Sequence, residues 1–512
     1  MALARAHTAA LAGVEAHTVV LEADLARQGM PSFTMVGLAE GAVRESKERV
    51  FAALKNRGFK LPPSRITINL APADIRKEGS GYDLPLALGL LAAAEVLPAE
   101  TLEGVFFAGE LSLTGDLKPV SGILPLAIRA RKEGATALLI PLANAQEACV
   151  VKGLKVYGIA SLDQAVRFLT GQESLEPVVF DEAAMGADDD PFPLDFSEVK
   201  GQEHAKRAIE IAAAGGHNLL FLGPPGSGKT MLAKRIPTVL PPLTFEEALE
   251  VTKVYSVAGE LARGGTIIST RPFRSPHHTI SDAGLIGGGS IPRPGEVSMA
   301  HRGVLFLDEL PEFKKSVLEV LRQPIEDGKV TIARAAVSLT YPAEFMLVAA
   351  MNPCPCGYLG DERHECQCGE TVVRKYRSRL SGPLLDRIDL QVEVPAVPYK
   401  DLRAETGKVD SALMRSRVLA ARELQTQRYK GTPIRTNSQL SGKALNVYCA
   451  IGDAEHRFLE MANHRLGLSA RAHTRILRLA RTIADLDAET NVRVEHLAEA
   501  INYRNMDRQG AA

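Results

Sequence analysis

Asn218 to Ile236 reads NLLFLGPPGSGKTMLAKRI. An apolar run suited to a buried strand leads into Gly223-Pro224-Pro225-Gly226-Ser227-Gly228-Lys229-Thr230, and an amphipathic helical pattern follows. The G-x-x-x-x-G-K-T spacing thus lies between a strand and a helix, as a phosphate-binding loop requires. Glycines there let backbone N–H groups turn toward phosphate oxygens at a helix N-terminus. Lys229 is then placed to reach the β and γ phosphates, and the Thr230 hydroxyl to ligate Mg²⁺.

Such a loop fits a kinase, a GTPase or a motor, and the second strand narrows the choice. GVLFLDEL, residues 303–310, ends four apolar positions in Asp308-Glu309. Asp308 suits the magnesium shell and Glu309 suits polarisation of the attacking water, a pairing expected of ATP hydrolysis. A third run, FMLVAAMN (345–352), ends in Asn352, whose amide both donates and accepts and so suits orientation of the hydrolytic water. Alone, a strand-terminal Asn is equally a turn former.

The wider pattern sets these motifs in a long, divided chain. At 512 residues it has room for roughly two to four domains. Its 60 Lys+Arg balance 61 Asp+Glu, so no global field draws it to nucleic acid or anionic membrane, and any such contact must be local. Residues 1–175 mix strand runs such as HTVVLEADL and SRITINLAP with helical spacing in AVRESKERVFAALKNRGF, an α+β unit. FFAGELSLTGDLKPV predicts two strands joined at Thr114-Gly115-Asp116. Residues 176–195 are acidic and Pro-containing and read as a linker. Residues 196–395 alternate apolar strand runs with helices, the pattern of a covered parallel sheet, and 396–512 read as a helical bundle. The longest apolar run, Leu84 to Leu97, is too short for a membrane span and predicts a buried helix. With Arg5, His7, Glu15 and His17 breaking the start, a cytoplasmic, membrane-free protein is expected.

LLFLGPPGSGKTMLAKRI, PRPGEVSMAHRGVLFLDEL, MNPCPCG and RLSGPLLDRIDL resemble the AAA+ ATPases related to magnesium chelatase, most closely the ComM/YifB family, and the likeness covers essentially the whole chain. It implies a multidomain α/β protein with a Lon-protease-like N-terminal domain, a P-loop AAA+ αβα sandwich and a C-terminal helical lid. By the same resemblance Gly223 to Thr230 is Walker A, Asp308 and Glu309 are Walker B, and Asn352 is sensor 1. Arg387 matches the arginine finger that acts on a neighbour's nucleotide, and Arg471 matches sensor 2. A guanidinium from the next subunit stabilises charge on the γ-phosphoryl oxygens and ties hydrolysis to ring assembly. From the residues alone, Arg387 can equally pair with Asp386 or Asp389, and Arg471 is one of several charges on a basic helix.

The resemblance further implies ATP and Mg²⁺ as cofactors, a homo-oligomeric ring of hexamer type, and single-stranded or branched DNA as the partner moved. The implied activity is DNA translocation promoting branch migration in recombination, including integration of DNA during natural transformation. The alternative is a chelatase-type ATPase that drives metal insertion through partner subunits. Two insertions, 259–298 with Arg263, Arg271, Arg274, His277, His278 and Arg293, and 329–342 with Arg334, correspond to pore-facing elements, where a few cations suffice to hold phosphates. Solvated loops or subunit contacts are the rival reading. In the Lon-like stretch Ser80 falls near the nucleophile position, but the segment where Lon carries its lysine reads VSGILPLAI. A Ser-Lys protease needs that lysine, so a binding, docking or regulatory role is expected instead.

Directly behind Asn352, Cys354, Cys356, Cys366 and Cys368 form two C-x-C pairs, with His364 as a spare ligand. Four thiolates satisfy tetrahedral Zn²⁺ in a closed, structural shell, although the spacing is not the usual C-x₂-C. Four reduced thiols in a loop are the other option.

Overall fold

The computed structural model describes residues 2–27, 30–39, 41–181, 194–261, 265–289, 292–334, 337–361, 363–398 and 409–504. In the N-terminal third, β1 (Ala2–Ala12) and β2 (Glu15–Ala26) form a long antiparallel hairpin. They join β3 (Ser32–Val36), β4 (Arg65–Ala71), β5 (Val105–Phe107), β6 (Ala137–Pro141) and β7 (Lys155–Ile159) in a seven-stranded mixed sheet of order β3-β4-β2-β1-β5-β6-β7. The Leu84–Leu97 run supplies helix α1 (Asp83–Ala93), every residue of which is buried, so the absence of an amphipathic period reflects burial on all sides. The FFAGELSLTGDLKPV segment differs from the simple two-strand expectation. Its first half breaks after Phe107, and only Glu110–Leu111 pairs with Leu117–Lys118 across the turn at Gly115. The Gly109 N–H is spent instead on the Gly81 carbonyl at 2.9 Å.

The central third holds β8 (Leu219–Leu222), β9 (Phe273–Arg274), β10 (Val304–Leu307), β11 (Met346–Met351) and β12 (Leu390–Glu393), all parallel, in the order β9-β10-β11-β8-β12. β10 and β11 are buried at every position, because one face packs against the helix Glu203–Gly215 and the C-terminal helices and the other against the helices after β10. Residues buried on both faces read as continuous apolar runs. The chain leaves β8 for the far edge and returns to its other side at β12. The crevice at the carboxyl ends of such strands is where ligands bind in open α/β sheets.

Helices Ser411–Arg428, Asp453–Leu466, Ala470–Leu486 and Val494–Asn502 form the C-terminal bundle against β8, β11 and β12. Its buried Asp485 carboxylate accepts from Arg428 Nη1 at 2.8 Å, Arg481 Nε at 3.1 Å and Asn437 Nδ2 at 2.9 Å. A buried charge is tolerable only when so fully paired. The N-terminal unit seats on the central one through Gly122 N–H to the Ser256 carbonyl at 3.0 Å, a Ser256 hydroxyl bond to Glu147, and Lys253 at 3.6 Å from Glu15. Of the linker read from sequence, residues 182–193 lie outside the described residues, but its start is pinned: Val178 N–H donates to Val156 at 2.8 Å and Phe180 packs on Phe245. Among the described residues no helix is long and apolar enough to cross a membrane.

Candidate nucleotide-binding and hydrolysis site

The phosphate loop leaves β8 at Gly223 and enters helix α2 (Lys229–Val239), with Gly228 as N-cap at φ +92°, a conformation few side-chain-bearing residues adopt. The Lys229 side chain is buried, and its Nζ donates to the Gly223 and Pro224 carbonyls, each at 2.8 Å, and to Asn352 Oδ1 at 3.2 Å. Burial lowers the Lys229 pKa and nearby Asp308 partly restores it, so the ammonium sits where an anion is favoured. The Thr230 hydroxyl donates to Asp308 Oδ2 at 2.7 Å. Residues from the ends of β8, β10 and β11 thereby meet at one carboxyl edge of the sheet. Glu309 follows Asp308 in a left-handed backbone, φ 53°, which costs roughly 1–2 kcal/mol for a residue with a Cβ. Its N–H donates to Asp308 Oδ1 at 2.9 Å, while its carboxylate points to His278, with Nδ1 3.4 Å from Oε2.

Arg387 and Arg471 do not join this group. Arg387 lies just before β12, and so at the amino edge of the sheet, opposite the phosphate loop. It pairs with neither Asp386 nor Asp389. Its Nη1 donates to the Pro383 carbonyl at 2.5 Å, its Nη2 to Glu326, and its buried Nε has no partner among the described residues. Arg471, at the start of the helix Ala470–Leu486, donates to Asp386 Oδ2 at 3.2 Å and is largely exposed. Both arginines therefore share one surface, away from the chain's own Lys229.

The cysteine segment is fastened to the loop side. The sulfurs of Cys354, Cys356, Cys366 and Cys368 all lie within 4.8 Å of one another, and Cys354 is fully buried. The Tyr358 N–H and the Cys354 thiol hold Cys356 down at about 6, while its cysteine neighbours push Cys366 and Cys368 up, so one thiolate is favoured at the expense of the others. His364 stands outside the cluster, its ring tilted against that of Tyr358 with centroids 4.7 Å apart and its Nδ1 3.3 Å from Asp361. Gly357, at φ +87°, packs so closely on the phosphate loop that a Cβ there meets Pro225 Cδ at 2.5 Å. Sequence spacing carried no sign of that contact.

The insertion cations divide. Arg271 is partly buried, bonded to Glu247 at 2.9 Å and the Arg302 carbonyl at 2.6 Å, and Arg274 is clamped by both oxygens of Glu296 at 2.6 and 2.7 Å. Neither is available for a phosphate, because each guanidinium is already spent inside the fold. Arg293 is exposed on the antiparallel pair Gly287–Gly288 and Arg293–Pro294. Lys329–Arg334 and Val337–Pro342 form the second hairpin. Arg263, and the side chain of Arg334, lie outside the described residues.

A parallel sheet of this order with a lysine-threonine loop facing paired acids defines a P-loop ATPase. Residues 195–402 match the family described as Magnesium chelatase, subunit ChlI, residues 21–144 match Subunit ChlI of Mg-chelatase, and residues 408–504 match the ChlI C-terminal family. Competence protein ComM of Haemophilus influenzae is 47% identical, covering 99% of this chain and 98% of its own. YifB of Salmonella typhimurium is 44% identical over the same shares. The magnesium-chelatase 38 kDa subunit of Rhodobacter capsulatus is 28% identical over 44% of this chain and 62% of its own. The chain belongs to the ComM/YifB family of magnesium-chelatase-like AAA+ ATPases.

Proposed function

We propose that the protein is an ATP-driven DNA translocase, a ring of identical subunits of hexamer type that moves single-stranded or branched DNA. It promotes branch migration in homologous recombination, including integration of DNA during natural transformation. The observation that carries this reading is end-to-end likeness to a protein named for competence, in a chain whose Lys229, Thr230, Asp308 and Asn352 meet at the carboxyl edge of the parallel sheet.

In this reading Gly223, Pro224, Pro225, Gly226, Ser227 and Gly228 wrap the phosphates with backbone N–H groups, and Lys229 exchanges its carbonyl and amide partners for β- and γ-phosphate oxygens. Thr230 and Asp308, already 2.7 Å apart, converge as oxygen ligands and fit a magnesium ion. When bound, that ion neutralises charge on the β- and γ-phosphate oxygens. Glu309 takes the proton of the attacking water, and Asn352, once released from Lys229, orients that water. Arg387 and Arg471 are offered to the nucleotide of the next subunit. The four cysteines fit zinc, whose closed sulfur shell leaves no position for substrate and braces the segment between Asn352 and Arg387.

The N-terminal unit, which sequence likens to Lon, serves docking or regulation. Its Ser80 hydroxyl donates to Glu110, and among the described residues no lysine hydrogen-bonds to it, while the Lys77 ammonium is buried against the Pro72 carbonyl. A chelatase-type motor is the alternative, favoured by the family matches. It leaves more than half of this chain without a counterpart in the 38 kDa subunit. Displacement of a labelled strand from branched DNA separates the two. The translocase displaces the strand with ATP and not with a non-hydrolysable analogue; no displacement by an assembled ring rejects it.

A further inference from the structure

We propose that Asn218 is a positioning residue for the arginine offered to the next subunit. Its amide fastens the Arg387 backbone to the amino end of β8, the strand whose other end becomes the phosphate loop. The inference rests on Arg387 acting in trans.

Asn218 is the polar start of an otherwise apolar run, and its side chain reaches strands on both sides of β8. Nδ2 donates to the Arg387 carbonyl, just before β12, at 2.8 Å, and Oδ1 accepts from the Leu347 N–H of β11 at 2.9 Å. Only this orientation of the amide satisfies both neighbours, since one offers a lone pair and the other a proton. The Asn218 backbone is tied to the same turn. Its N–H donates to Asp389 Oδ2 at 3.1 Å, and its carbonyl accepts from the Asp389 and Leu390 N–H groups, each at 3.0 Å. The next two carbonyls of the turn, those of Ile388 and Asp389, accept from Nη1 of buried Arg504 at 3.2 and 3.4 Å.

A turn so fixed leaves the Arg387 side chain as the part that moves. Its guanidinium is held by the Pro383 carbonyl and by exposed Glu326, and its buried Nε has no partner among the described residues. A pair to an exposed carboxylate is cheaply exchanged for a phosphate on a neighbour. The anchor is therefore firm and the head is free to turn. β11 runs on from Leu347 to Asn352, and β8 runs on to the phosphate loop. The strands that meet this chain's own γ-phosphate and the arginine it offers onward thus share one junction at Asn218. A displacement of about 1 Å at a reacting group can cost about a hundredfold in rate. Loss of the amide releases the backbone from which the arginine reaches.

ATP hydrolysis by mixed assemblies of the full chain tests this. Asn218→Ala is expected to lose about tenfold or more in kcat with KM for ATP within about twofold, because the phosphate loop is left intact. Asn218→Asp, ionised at about pH 8, keeps an acceptor for the Leu347 N–H but sets an oxygen against the Arg387 carbonyl, and it is expected to lose at least as much. Mixing then locates the defect. With an equal amount of Glu309→Gln, either Asn218 variant recovers to about a quarter of the wild-type rate, because its loop and base then meet a sound arginine. With Arg387→Ala it recovers nothing, since neither chain presents the arginine correctly. An amide that merely satisfies a backbone carbonyl in the fold gives no recovery with Glu309→Gln, and that outcome overturns the proposal. Recovery with Arg387→Ala overturns it too, because the defect then lies in the chain's own phosphate loop, as does wild-type kcat in Asn218→Asp. Arg387→Ala mixed with Glu309→Gln is the control. No recovery there sinks action in trans and this inference with it, whereas recovery there but not with the Asn218 variants sinks the inference alone.

Discussion

Removal of the Arg387 guanidinium isolates the proposal that each hydrolysis site is completed by a second copy of the chain. The phosphate loop follows β8 and Arg387 precedes β12, and these strands run parallel with Leu219 opposite Leu390 and Leu222 opposite Glu393. At about 3.3 Å per residue, the four-residue strand alone puts the two edges roughly 13 Å apart. Arg387 is also turned toward Pro383 and Glu326, so it has no route to its own γ-phosphate. An arginine supplied in trans is worth about 10³ in kcat or more, near 4 kcal/mol. Loss of the pair to the exposed Glu326 changes this by about 1 kcal/mol at most. Arg387→Ala should therefore lose about 10²–10³ in kcat while binding ATP normally. The decisive assay mixes Arg387→Ala with Glu309→Gln, each inactive alone. Where the first supplies loop and base and the second supplies the arginine, the interface is intact. Random assembly at equal amounts makes about a quarter of the interfaces of this kind, and activity recovers on mixing. Mixing that restores nothing, with co-assembly shown, refutes action in trans.

Cys354→Ser and Cys366→Ser should each reduce zinc in protein purified without chelators from about one per chain to near none, read by elemental mass spectrometry. Wild-type protein that is itself zinc-free contradicts the metal assignment. Gly357→Val should keep zinc yet weaken nucleotide binding in a fluorescent-analogue titration, because its side chain meets Pro225 in the phosphate loop; unaltered affinity means the packing is dispensable. Glu250 is held down at about 2 by His301 and then, against its desolvation, by Arg302, whose guanidinium is 2.8 Å away. Its folded pKa lies below the unfolded value of about 4.3, so its contribution to stability is present above that pH and is lost as pH falls toward 2. Glu250→Gln should flatten the acid side of a denaturation-midpoint series, and a series parallel to wild type removes Glu250 from that role.

Four of the five central strands are visible in the sequence, β8, β10 and β11 because their apolar runs are unbroken and the edge strand β12 through its Leu390-Gln391-Val392-Glu393 alternation. β9 is not, since Phe273 and Arg274 are only half-buried at the sheet edge and two residues show no period. The N-terminal hairpin alternates legibly, but the order of its sheet depends on pairings between distant segments, which no local pattern encodes. The motif residues Lys229, Thr230, Asp308 and Asn352 meet where three strand ends coincide. Contacts between surface segments were invisible: His278 with Glu309, Gly357 with Pro225, and Arg471 with Asp386 join residues far apart in sequence and of ordinary type. Composition also ranked Arg271 and Arg274 beside Arg293, and only the positions of Glu247 and Glu296 show that the first two are spent internally.

The most direct measurement is ATP turnover by the assembled ring with and without single-stranded or branched DNA, with Glu309→Gln as the control that binds ATP without hydrolysing it. A DNA-moving motor hydrolyses ATP several-fold faster when DNA is present, and the control stays silent under both conditions. Equal turnover with and without DNA, in protein shown to be assembled, contradicts the proposed function.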